Sequence, residues 1–325
     1  MQKILVDLLQ SDSQISVIGT AQDGEEALSK IARLHPDVVT LDIEMPRMNG
    51  LTTVRKIMET NPLPVVMISA LAQREAQLTL KALEFGAVDY VPKPSGQISL
   101  NMHTVKTELI SKVKTAASAN IRRVKPSVVE AVAQSTAKSC DRIISIAAST
   151  GGPAAIAYVL KHIPENTPPI LVVQHMQKGM TKLFAEGLNQ ECKIKVKEAE
   201  DGDVIQENLA LVAPGGFHMV VTKSGKINLT TSPLVNYVRP SADVMMKSAA
   251  KTYASKNIGV ILTGMGTDGA KGIEAIKKNG GVTIAQDKKT CVVFGMPDAA
   301  IKTGCVDFVT SLECIPKEIM NVCED

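Results

Sequence analysis

The stretch RIISIAASTGGP, Arg142 to Pro153, decides the reading of this chain. Its apolar run Arg142–Ala148 ends in Ser149, and two later runs end in a similar way. ILVVQ, Ile170–Gln174, leads into His175, and IGVILT, Ile258–Thr263, leads into a glycine-rich loop carrying Asp268. Short β-branched runs, each followed by a helical pattern, read as buried parallel strands. Chemistry in open α/β sheets gathers just outside the carboxyl ends of such strands. A serine, a histidine and an aspartate at three strand ends form the set that a serine nucleophile needs at neutral pH.

Each residue also has an ordinary reading. Ser149 or Thr150 before Gly151-Gly152-Pro153 is a sound helix cap, His175 a hydrogen-bonded core histidine, Asp268 a turn residue. Backbone N–H groups at the helix start after Ser149 are nevertheless well placed for an oxyanion. GMGTDG, Gly264–Gly269, matches the dinucleotide pattern G-x-G-x-x-G, with Asp287 near the end of the following strand. Against it, Asp268 puts a carboxylate among the N–H groups that would receive a pyrophosphate.

The 325 residues suffice for two domains, and a formal charge of +3 gives no footprint for nucleic acid. No run approaches the length of a membrane span and no signal-peptide pattern opens the chain. Six cysteines without C-x-x-C spacing read as reduced thiols of a cytoplasmic protein. Strand and helix patterns alternate over 1–118, with strands expected at Ile15–Ala21, Asp37–Leu41, Pro64–Ser69 and Asp89–Val91. Residues 119–139, rich in Ala, Ser and Lys, read as a linker. Alternation resumes over 140–325, interrupted by a β-rich stretch at Ala210–Thr230. The fold class expected is α/β, with two doubly wound parallel-sheet domains.

In the first domain Asp42, Ser69 and Lys93 fall at successive strand ends, with Tyr90 close by. An acidic acceptor, a hydroxyl and a lysine there suit the holding and sensing of a phosphoryl group. This set resembles a response-regulator receiver, a flavodoxin-like fold. The resemblance implies Asp42 as phospho-acceptor, with Ser69, Tyr90 and Lys93 as switch residues. That family opens with a central strand ending in an acidic pair that binds Mg²⁺. Here Met1 begins directly in an amphipathic helix, so the first strand is expected to be missing and Met1 to be internal to the first helix. Asp42 and the backbone carbonyl of Glu44 would remain as a poor Mg²⁺ site.

ASTGGP, VVQHM, KEAEDGD, APGGFHM, VILTGMGTDGAKG and CVVFGMP occur in the order seen in the chemotaxis protein-glutamate methylesterases, which join a receiver to a Rossmann-like catalytic domain. This second resemblance implies Ser149 as nucleophile, His175 as general base and acid, and Asp268 as the group orienting the imidazole. Thr150 and Met265 match positions near the oxyanion site. The implied reaction is hydrolysis of glutamate γ-methyl esters on chemoreceptors, and deamidation of receptor glutamines, without a catalytic cofactor. A chemotaxis histidine kinase is the implied phosphodonor, and phosphorylation of Asp42 the implied activator. Two other readings stay open: a phospho-regulated binding protein without catalysis, and a dinucleotide enzyme resting on GMGTDG.

Overall fold

A computed structural model describes residues 1–70, 72–93, 101–121 and 141–324. The chain divides into two compact units, 1–126 and 127–325. Most of the expected linker, 122–139, lies outside the described residues.

The first unit runs α1 (Gln2–Gln10), α2 (Gly24–Leu34), β1 (Val39–Asp42), α3 (Gly50–Thr60), β2 (Val65–Ser69), α4 (Gln73–Glu84), β3 (Asp89–Pro92) and α5 (Asn101–Ala117). Its helix starts are built as the sequence suggests. Asp23 accepts from the N–H groups of Glu25 and Glu26 at 2.9 and 3.0 Å, and Asn49 accepts from that of Thr52 at 2.9 Å. The three strands form a parallel sheet in the order β1-β2-β3. Val65 to Ser69 are buried throughout, as a central strand covered on both faces must be.

Ile15–Ala21 is not a strand, which corrects the expectation. Among the described residues β1 bonds only to β2, and Ile15–Ala21 has no ladder beside it. A cavity of about 840 Å³ is lined by both segments, with Leu5, Ile15, Val17, Val39, Leu41 and Val113 in its wall. Alternating apolar residues make a strand only where a neighbouring backbone takes up their hydrogen bonds.

The second unit contains β4 (Ile143–Ala148), α6 (Gly152–His162), β5 (Ile170–Gln174), α7 (Met180–Glu191), β6 (Lys195–Glu198) and β7 (Leu209–Val212). A hairpin follows, β8 (His218–Val221) with β9 (Ile227–Thr230), then α8 (Ala242–Tyr253), β10 (Asn257–Ile261) and α9 (Ala270–Lys278). The unit ends with β11 (Val282–Gln286), α10 (Met296–Lys302), β12 (Phe308–Thr310) and α11 (Ile315–Glu324). Seven parallel strands lie in the order β12-β11-β10-β4-β5-β7-β6. The expected β-rich stretch is thus divided: β7 joins the main sheet and only β8 and β9 form the hairpin. From β4 the chain first builds towards β6, then returns to add β10 on β4's other side. That reversal creates a crevice at the carboxyl ends of β4 and β10.

All of β4, β5 and β10 are buried, so their continuous apolar runs face helices on both sides. One polar pair crosses this core, Ser145 Oγ donating to Asn257 Oδ1 at 3.0 Å. The lack of a ladder at Ile15–Ala21 carries a consequence for exchange. Amide hydrogens of Ile15–Ala21 are expected to exchange orders of magnitude faster than those of Ile143–Ala148, read by mass spectrometry on the intact chain. Equal protection of the two segments would contradict this description.

Candidate functional site

Register alone brings two of the three site residues together. Ala148 of β4 pairs with Gln174 of β5, so Ser149 and His175 leave adjacent strands at the same level. The N–H of His175 donates to the carbonyl of Ala148 at 3.2 Å, and that of Ser149 to the carbonyl of Thr263 at 3.0 Å. The side-chain amide of Gln174 donates to the carbonyl of Ser149 at 2.9 Å. Two glycines make the tight packing possible. Gly151 has φ of 74°, and a Cβ there would meet Val292 Cβ at 2.6 Å. A Cβ on Gly264 would lie 2.9 Å from that of Ser149. Thr150 is buried at the same turn, its carbonyl accepting from Thr263 Oγ1 at 3.0 Å, while Met265 stands half exposed on the loop after β10.

His175 Nε2 donates to Asp268 Oδ2 at 2.9 Å, which turns Nδ1 over to other chemistry. Asp268 is 3% exposed and is saturated with donors. Oδ2 also accepts from the N–H of Ala242 at 2.6 Å. Oδ1 accepts from Ser241 Oγ at 2.6 Å, Asn236 Nδ2 at 2.7 Å and the N–H of Asp243 at 3.3 Å. Burial works to raise its pKa, but the bond and charge of His175, with Ser241 and Asn236, bring it down to about 2. The carboxylate sits at the start of α8, where the helix dipole also favours negative charge.

The start of α9 is treated in the same way by α8. Asp243, in the first turn of α8, accepts from the N–H groups of Gly269 and Gly272 at 3.1 and 2.7 Å. Asp268, just ahead of α9, caps α8, and Asp243 caps α9. Asn236 Nδ2 reaches both carboxylates, lying 3.0 Å from Asp243 Oδ2. This exchange leaves the G-x-G-x-x-G reading without its physical basis. The N–H groups that would cradle a pyrophosphate already hold an aspartate. The sequence alone does not single out Asn236, Ser241 and Asp243. The signal was local: Pro240-Ser241-Ala242-Asp243 is a helix-start pattern, but nothing in it names a partner some 25 residues away. His218 is fully buried and structural, taking the N–H of Ser241 on Nδ1 at 3.2 Å and giving Nε2 to the carbonyl of Pro233 at 3.1 Å.

The first unit brings Asp42 and Lys93 together, with Nζ 2.8 Å from Oδ1. Glu75 is the second carboxylate on Lys93, at 3.3 Å. Burial disfavours the ammonium, yet Asp42 and Glu75 more than compensate, and its pKa is raised. Ser69 Oγ accepts from Thr79 Oγ1 at 2.6 Å and donates to the carbonyl of Ala70 at 2.9 Å. Tyr90 is buried, with Lys112 Nζ 4.9 Å from its ring centre. Ser69 and Tyr90 thus each have core neighbours. The residues present do not fit a Mg²⁺ site. Asp42 Oδ1 is taken by Lys93 and by the N–H of Glu44 at 3.1 Å, and Glu44 is exposed. Among the described residues no cluster of three or more metal-ligating side chains occurs. A hard divalent cation needs more carboxylate charge than one shared aspartate supplies.

One unit is thus a doubly wound α/β domain with a His175–Asp268 pair at the strand ends that also carry Ser149, and the other unit holds an Asp42–Lys93 pair. Residues 144–319 match the family described as CheB methylesterase, and residues 1–104 the response regulator receiver domain. A protein from Pyrococcus abyssi, named protein-glutamate methylesterase/protein-glutamine glutaminase, is 49% identical over 344 residues, covering all of this chain and 91% of its own. One of the same name from Symbiobacterium thermophilum is 44% identical over 337 residues, covering 98% of this chain and 93% of its own. The crystal structure of the Thermotoga maritima CheB methylesterase catalytic domain overlays with a TM-score of 0.54 at 44% identity, covering 56% of this chain and 98% of that one. The chain belongs to the CheB methylesterase family.

The depressed pKa of Asp268 sets a pH dependence. Its ionised form is worth about 2 kcal/mol to folding, present in full above about pH 4 and lost as pH falls through 2. Urea unfolding of the second unit should show wild type and Asp268→Asn converging between pH 6 and pH 2. A gap that stays constant over that range would contradict the assignment.

Proposed function

We propose that this chain is a phosphorylation-regulated protein-glutamate methylesterase that releases methanol from glutamate γ-methyl esters on chemoreceptors. It also deamidates receptor glutamines, the same acyl chemistry with ammonia as leaving group. The observation that carries the reading is the ionised, five-fold hydrogen-bonded Asp268 holding His175 Nε2 beside the serine-bearing end of β4.

In the mechanism Ser149 Oγ attacks the ester carbonyl while His175 takes its proton. With Nε2 committed to Asp268, the nitrogen serving Ser149 is Nδ1. Asp268 keeps the proton on Nε2 and stabilises the imidazolium that forms. His175 then protonates the departing methoxide, and the acyl group remains on Ser149. Water, deprotonated by the same nitrogen, attacks the acyl carbonyl and restores the serine. N–H groups at the turn into α6, with Thr150 and Met265 beside Ser149, line the place where negative charge develops on the carbonyl oxygen.

Asp42 is the phosphate acceptor and Lys93 the cation that meets it. Phosphorylation acts by shifting a population between a less and a more active arrangement, adding no chemical step. The phosphodonor is a chemotaxis histidine kinase, and the setting is the cytoplasm. Among the described residues no helix is long and apolar enough to cross a membrane.

Ser149→Ala is expected to abolish methanol release from methylated receptor, by on the order of 10⁶-fold as for comparable nucleophiles. Asp268→Asn should cost about 10⁴-fold through the wrong imidazole tautomer. Prolonged treatment with EDTA should leave the rate unchanged. Near-normal turnover by folded Ser149→Ala protein would defeat the mechanism. The receiver regulates only as far as Asp42 becomes phosphorylated, and without a fitting Mg²⁺ site that step should be inefficient. Mg²⁺ with a small phosphodonor should raise the esterase rate of the 325-residue protein little. Strong activation that disappears in Asp42→Asn would show that the acceptor site is sufficient as it stands.

A further inference from the structure

Between the β8–β9 hairpin and α8 the chain makes a turn with an unusual composition. Val235 and Val238 bond to each other in both directions, at 3.1 and 3.3 Å. Asn236 and Tyr237 are therefore the central pair of a two-residue turn, with φ of 53° and 64°. A turn with two positive φ values takes asparagine readily at its first position and glycine at its second. A tyrosine in the second position is strained, and strain of this kind persists where function requires the side chain. The ring recovers nothing by burial, since Tyr237 is 95% exposed.

The turn is also fastened. Asn236 Nδ2 donates to Asp268 Oδ1 and Asp243 Oδ2, so the residue before Tyr237 is bonded directly to the carboxylate that holds His175. His218 pins the carbonyl of Pro233, and Arg239 Nη1 donates to the carbonyls of Thr231 and Ser232 at 2.8 Å each. Leu234, 57% exposed, precedes the turn, and Met265, 48% exposed, stands on the loop that carries Asp268. A fastened turn with a protruding aromatic, tied to Asp268 and accompanied by exposed apolar residues ahead of it and on the Asp268 loop, suits a macromolecular substrate. Rigid aromatics make contact area at low entropy cost.

We propose that the Val235–Val238 turn is the substrate-reading element of the site, with Tyr237 the specificity-determining contact to the protein chain around the modified glutamate, and Asn236 the positioning residue that ties this contact to Asp268. The proposal rests on the esterase reading above. It requires the reacting glutamate to be presented by a protein surface, because the turn lies at the rim and not at the reacting atoms.

The test is steady-state methanol release by the full-length protein from methyl-labelled chemoreceptor in membrane vesicles, with Tm measured alongside. Tyr237→Gly relieves the backbone, so its Tm should be no lower than wild type, while KM rises about ten-fold or more with a smaller change in kcat. Tyr237→Phe should keep KM near the wild-type value, since the ring makes the contact. Asn236→Ala, which frees the turn and loosens Asp268, should lower kcat and raise KM together. An unchanged KM in Tyr237→Gly, or a clear fall in its Tm, would overturn the proposal by making the turn structural. Absence of methanol release by the wild-type protein is a separate outcome. It would remove the esterase reading and the proposal with it.

Discussion

A buried, ionised aspartate at the mouth of a helix is the constraint on which the catalytic half of this molecule depends. Asp268 is out of contact with water, and an unpaired carboxylate in that position would be prohibitively unfavourable. Five donors and the first turn of α8 make it tolerable. The same bonds decide where its oxygens point, and so where the imidazole of His175 must lie. Stability and chemical function are served by one set of contacts. Asp243 repeats the arrangement at α9 and locks the two helix starts into a fixed relation.

The sheet topology supplies the stage. Because β10 is added beside β4 only after the chain has built out to β6, the connections at their carboxyl ends leave in opposite directions. Ser149 and His175 arrive there by strand register, which needs no long-range side-chain contact. Asp268 arrives from the opposite flank and must be held by side chains. That difference explains why the serine and histidine sit on tightly packed backbone, with glycines excluding any Cβ, whereas the aspartate is surrounded by hydrogen bonds.

The same difference governs what could be read in advance. Apolar runs of five or six residues announce β4, β5 and β10, and the polar residue ending each run is visible by inspection. Ser241, Asn236 and Asp243 are invisible in that way. Their partners lie far along the chain, and a first-turn aspartate looks like any helix-start acid. In the receiver-like unit, Ile15–Ala21 has the alternation of a strand, but alternation reports which face is apolar and not whether a neighbour exists. Asp42 and Lys93 meet as expected because each ends a paired strand, β1 and β3. Ser69 is bonded to Thr79 and Tyr90 is packed by Lys112, partners that strand ends do not disclose.

The reciprocal capping of α8 and α9 has a bearing on how such a sequence can change over generations. Residues 243 and 268 enclose a segment that is fastened at both ends by charge, much as a crosslink would fasten it. Loss of either aspartate strips one helix start of its acceptor and leaves Asn236 donating to a single carboxylate. A lineage that altered one position would carry a defect that a change at the other could not simply mend. Each of the two positions is thus expected to be held in its own right.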